Sequence, residues 1–137
     1  DVRAVISVNK GLVTQASAAI PVVPLYFAIL YKVMKRAGNH ENCIQQIARL
    51  FTQKLYTPEG FRTDENGFIR MDDYELLPEI QEEVKKCWKA VTTDTVNQYC
   101  DIDGYWEDFY HMFGFRYEDI DYTQDVDAYI EIDGVGL

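Results

Sequence analysis

At 137 residues the chain fits one ordinary domain, and its 47% hydrophobic and 14% aromatic content excludes a disordered composition. A formal charge of −10 argues against nucleic acid, because Lys and Arg contacts to phosphate supply most non-specific affinity. The charge is uneven: through Lys54 seven basic residues face two acidic ones, a balance that can attract a phosphorylated ligand. The remainder, six basic against twenty-one acidic, reads as solvated surface.

Asp1 is not an initiator Met, and nothing near it has the order of a secretory signal, so Asp1 reads as a cut site rather than a biological start. Val2 to Val8, bounded by Asn9-Lys10-Gly11, predicts a buried strand. Only Tyr129 to Ile132 looks strand-like besides. A buried strand needs neighbours on both edges, and parallel ones need helical crossovers, so the chain is expected to complete a sheet whose larger part lies outside it.

The longest apolar stretch, Ala18 to Leu30, has thirteen residues interrupted by Pro21 and Pro24, against about 20 for a bilayer span. The two prolines set the entry of a core helix running to about Ala37, which Gly38 terminates. A second helix is expected from Asn39 as cap, with Ile44, Ile47, Phe51 and Leu55 on its apolar face. Residues 57 to 71 carry turn chemistry and read as a surface excursion. Asp72 and Glu75 have capping-box spacing ahead of a helix with Ile80, Val84, Trp88 and Val91 on one side. Thr92 or Thr93 then caps a short helix through Cys100. After the Asp101-Ile102-Asp103-Gly104 turn, Tyr105 to Phe115 holds six aromatics in eleven residues.

Familiar motifs fail on spacing. The eight glycines form neither G-x-G-x-x-G nor a P-loop, so no pyrophosphate cradle is expected here. Asp101 to Gly104 and Asp64 to Gly67 lack the ligand positions and closing Glu of a calcium loop. His40-Glu41 lacks the second His of a metalloprotease helix, so no metal site is expected. Cys43, Cys87 and Cys100 are too few and too scattered for a disulfide framework, which fits a reducing, cytoplasmic compartment. Tyr31 and Lys35 share a helix face like the Tyr-x3-Lys pair of short-chain dehydrogenases, but in those proteins the pair precedes the strand that this helix follows. Tyr26 and Lys35, at the longer Tyr-x8-Lys spacing, fall on opposite faces.

The run from Val8 to Tyr26 closely resembles trans-2-enoyl-CoA reductases and the homologous V-type enoyl-acyl-carrier-protein reductases. Further similarity lies in Lys32 to Lys35, Gly38 to Gln46, Ile69 to Leu76 and Gly114-Phe115. The matches are in order and cover nearly the whole chain. Asn42, where the family commonly has Gly, and Tyr74, where it has Trp, depart from the pattern at helix-start and surface-loop positions.

The resemblance implies an α/β fold, the carboxy-terminal part of a Rossmann-like, short-chain-dehydrogenase-like parallel sheet with a mainly helical substrate-binding region. Residues 1–17 would be the last strand region and cofactor loop, and residues 18–137 the helical substrate-binding and carboxy-terminal region. The implied reaction is NADH-dependent reduction of the C2–C3 double bond of an enoyl-CoA or enoyl-carrier-protein thioester in fatty acid synthesis. Gly11, Leu12, Val13 and Thr14 would bind the cofactor beyond the carboxyl end of the strand, with the Leu12 and Val13 backbone on the nicotinamide carboxamide. Tyr31 and Tyr105 would flank the acyl chain, or serve as core aromatics. The family's Tyr-x8-Lys pair, which stabilises the enolate oxygen, is expected upstream, in the amino-terminal remainder of the same enzyme. This chain alone would then be an inactive fragment. A different class of protein, a non-catalytic acidic helical module binding a protein partner, is the alternative.

Overall fold

The computed structural model describes residues 4–124, in which two short strands and six α-helices form an α/β arrangement. Strand β1 (Ile6–Val8) pairs in parallel with β2 (Phe68–Arg70), Ile6 opposite Phe68 and Val8 opposite Arg70, and the Met71 amide extends the ladder to the Val8 carbonyl. β2 is a strand that lies within the expected surface excursion, its three residues hidden between the Asp64–Gly67 turn and Asp72. The expected strand at Tyr129 to Ile132 lies outside the described residues. β1 itself is not buried: Ile6 is 60% exposed, whereas Ile69 and Met71 beside it are fully covered.

Helix α1 (Gln15–Ala18) starts on a capping box in which Thr14 and Ser17 exchange hydrogen bonds. Helix α2 (Val23–Ala37) follows with Pro24 in its first turn, and Gly38 at φ +75° closes it, as the two prolines and the glycine predict. Its residues Ala28, Ile29, Leu30, Tyr31, Val33 and Met34 form the spine of the core. Packed on it are Ile80, Val84 and Cys87 of α4 (Pro78–Ala90) and Tyr105 of α6 (Ile102–Met112). Between these, α5 (Val96–Tyr99) starts after Thr95, whose side chain makes no cap hydrogen bond, rather than after Thr92 or Thr93, and Asp101 starts α6 by accepting the Gly104 amide, so the expected turn is a helix start. Cys87 and Cys100 are free and buried, and burial pushes both thiols up from their ordinary range.

Helix α3 (Cys43–Arg49) departs most from expectation. Its cap is Asn42, not Asn39, and at Leu50 it runs into a π-helical stretch, Leu50–Leu55. Its apolar positions face outward: Ile44, Ile47 and Phe51 are all about half exposed, while Gln46 and Arg49 are buried. Arg49 can face inward because Glu41, Asp73 and the Met71 carbonyl satisfy its guanidinium, and Tyr74 stacks on it at 4.2 Å. No helix among the described residues is long and apolar enough to cross a membrane.

Candidate functional site

The carboxyl end of β1 leads into the segment Lys10–Thr14, in which the Gly11, Val13 and Thr14 amides each have a defined partner. The Gly11 amide donates to Glu75 Oε2 at 2.5 Å, and the Val13 amide to the Tyr31 hydroxyl at 2.9 Å. The same hydroxyl lies 3.5 Å from the Gly11 carbonyl. The Thr14 amide donates to Ser17 Oγ at 2.7 Å. Leu12, between the two anchored residues, makes no backbone hydrogen bond among the described residues, and it is only partly buried. Thr14 is exposed, and its hydroxyl accepts the Ser17 amide while keeping its own proton free to donate.

Gly11 is needed for close packing. A Cβ there would meet Phe27 Cε1 at 2.6 Å, so the backbone lies directly against α2 rather than opening a cradle. The segment's four expected cofactor-binding residues therefore divide. Gly11 and the amide of Val13 turn into the helical layer; the Leu12 backbone and Thr14 hydroxyl remain available. The Tyr31 hydroxyl takes the Val13 amide, while the Val13 carbonyl has no hydrogen-bond partner among the described residues.

Tyr31 is fully buried, stacked parallel to Phe27 at 6.1 Å between ring centres and edge-on to His40 at 4.6 Å. Burial, reinforced by the nearby charge of Asp108, raises its hydroxyl well above the usual tyrosine range. It is a core aromatic that anchors the loop. Tyr105 is likewise buried, with Trp106 edge-on to it at 5.4 Å, and burial raises its hydroxyl too. Tyr31 and Lys35, on one helix face, do not share partners: Lys35 pairs with Asp101 at 2.7 Å.

Sequence reasoning missed the charged groups around the loop. Glu75 does not cap α4, which starts from Leu77 without a side-chain cap; its carboxylate instead takes the Gly11 amide and, at 2.7 Å, the Tyr26 hydroxyl. Burial and that hydrogen bond push Tyr26 up to about 12. Lys10 is 3% exposed and lies 4.8 Å above the Tyr31 ring, its ammonium donating to the Gly11 carbonyl. Burial pushes it down to about 8, against the opposing pull of Asp108, Glu75 and Glu41. His40 Nε2 meets Asp108 Oδ2 at 3.0 Å beside the same ring. No local signal links Glu75 to Gly11, which stand 64 positions apart.

Other depressions lie away from the loop. A polar one of about 710 Å³ is lined by Arg49, Lys54, Arg62, Arg70 and the Thr57–Gly60 turn, but its cations are already paired with Asp73, Glu59 and Asp72. An apolar groove of about 200 Å³ runs past Tyr26, Val84 and Trp88.

The chain delivers this loop from a parallel strand onto a layer of helices, and two family models match it. Residues 1–56 match "Trans-2-enoyl-CoA reductase catalytic region", and residues 63–126 match "Enoyl reductase FAD binding domain". The chain belongs to this enoyl reductase family. Among its relatives, the enoyl-[acyl-carrier-protein] reductase [NADH] of Flavobacterium psychrophilum is 47% identical over 97% of this chain and 34% of its own length. That of Coxiella burnetii is 52% identical over 91% of this chain and 31% of its own. A crystal structure of Treponema denticola trans-2-enoyl-CoA reductase in complex with NAD superposes with a TM-score of 0.80 at 49% identity, covering 90% of this chain and 31% of that one. The corresponding enzyme of Clostridium acetobutulicum, also with NAD, gives 0.80 at 48% identity over 91% of this chain and 32% of that one. The chain thus spans about a third of the length of the curated relatives it matches.

Proposed function

We propose that this chain is the carboxy-terminal third of an NADH-dependent enzyme that reduces the C2–C3 double bond of trans-2-enoyl thioesters in fatty acid synthesis. One observation carries the reading: the Leu12 backbone and Thr14 hydroxyl stay free at the carboxyl end of a parallel strand, where open α/β sheets take their ligands. The donor set fits a nicotinamide. A residue's own N–H and C=O complement the acceptor and donor of a carboxamide, and a hydroxyl suits a neighbouring polar group of the dinucleotide.

Residues 1–17 then form the last strand region of a Rossmann-like sheet, and residues 18–137 the helical substrate-binding and carboxy-terminal region. The open edge of β1 and the outward apolar face of α3 seat the amino-terminal remainder of the protein, which carries the Tyr-x8-Lys pair. NADH, when bound, supplies the hydride. This chain's part is to orient the nicotinamide through Leu12 and Thr14 and to keep the loop rigid from behind. The flavin in one family description is not carried over, because the relatives' names and the matched crystal structures specify NADH or NAD.

The test is crotonyl-CoA-dependent NADH oxidation by the full-length protein and by residues 1–137 alone, with crotonyl-carrier protein in parallel. The full-length protein is expected to turn over and the short chain to be inert. Activity of the short chain, or a flavin spectrum in the purified full-length protein, would overturn the reading.

A further inference from the structure

Glu75 presents a puzzle of placement. Glu75 is 8% exposed and has no ion-pair partner among the described residues, a costly arrangement for a carboxylate unless hydrogen bonds compensate. Both oxygens are used, one on the Tyr26 hydroxyl and one on the Gly11 amide, and the short bond to Gly11 is charge-assisted. Two residues further along, the Tyr31 hydroxyl takes the Val13 amide and also reaches the Gly11 carbonyl. Phe27 blocks the loop from settling deeper at Gly11. The anchors therefore sit on both sides of Leu12, whose amide and carbonyl have no hydrogen-bond partner among the described residues.

We propose that Glu75 and Tyr31 are positioning residues of the cofactor loop. By holding Gly11 and Val13 from behind, they turn the Leu12 amide and carbonyl toward the nicotinamide carboxamide. This rests on the NADH reading above. Neither residue touches the dinucleotide; each acts through the loop.

The experiment measures, in the full-length protein, the Kd of NADH by fluorescence together with kcat and both KM values for Glu75→Ala, Tyr31→Phe and Glu75→Gln. Glu75→Ala and Tyr31→Phe each remove a bond to a loop amide, and NADH Kd and KM are expected to rise about tenfold. The KM for crotonyl-CoA should stay within about twofold, a split that general loss of stability would not produce. Glu75→Gln should recover NADH affinity to within about threefold, because its amide oxygen still accepts from Gly11 while its amide nitrogen donates to the Tyr26 oxygen. If Glu75→Ala does not fold, Tyr31→Phe, which removes a single oxygen, carries the decision. Wild-type NADH affinity in the folded variants, or a fall in kcat alone, overturns the proposal. Failure of the wild-type protein to bind NADH overturns the functional reading and this one with it, whereas normal wild-type binding with unaltered variants overturns this one alone.

Discussion

Helices α2 and α3 have similar apolar spacing but opposite orientation. On α2 the aliphatic and aromatic positions point inward and are covered by α4 and α6, so that side of the molecule closes its own core. On α3 the aliphatic face is open, Arg49 and Gln46 point inward, and β1 next in the layer keeps Ile6 exposed. The difference teaches that the described residues hold one finished interface and one unfinished one. We attribute the unfinished side to the amino-terminal remainder.

The largest expected effect tests the finished side. Leu30→Ala in the full-length protein should lower stability by about 3–5 kcal/mol in denaturant unfolding, the loss typical of a fully packed aliphatic side chain. The buried charge behind the loop comes next. Burial lowers Lys10 from 10.5 to about 8, so between those values the unfolded chain binds more protons than the folded one and stability rises with pH. Wild-type protein should therefore gain on Lys10→Met by up to roughly 3 kcal/mol as pH rises from about 7 to about 10, at 1.4 kcal/mol per pKa unit. A flat difference across that window would show Lys10 to be solvated.

The unfinished side gives a smaller effect that would break the comparison outright. Ile47→Ala should cost about 2 kcal/mol in the full-length protein if the remainder covers α3, but under about 0.5 kcal/mol if that face meets water. Smallest is Thr14→Ala, which removes the α1 capping box and should cost about 1 kcal/mol while weakening NADH binding; Thr14→Ser should restore both.

The sequence made some of this legible and hid the rest for physical reasons. Pro24 and Gly38 bracket α2 because each imposes a backbone conformation locally, and the resemblance from Val8 to Tyr26 marks the loop. Periodicity at Ile44, Ile47 and Phe51 identifies a helix but not which neighbour it faces, since an apolar stripe is equally satisfied by another part of the protein. β2 is only three residues long and sits among turn residues, so no strand period can register. Within the site, Leu12 and Val13 are indistinguishable as sequence; only the Tyr31 hydroxyl, 18 positions away, separates the anchored amide from the free one. Glu75 mimics a helix cap by spacing while serving a loop 64 positions earlier.

Residue-resolved amide hydrogen exchange on the full-length protein, with and without NADH, tests the central claim most directly. Gly11 and Val13 should exchange slowly in both states, and Leu12 should exchange rapidly in the free protein and slow on saturation with NADH. A Leu12 amide indifferent to NADH, or Gly11 and Val13 amides exchanging as fast as Leu12 in the free protein, would contradict the account.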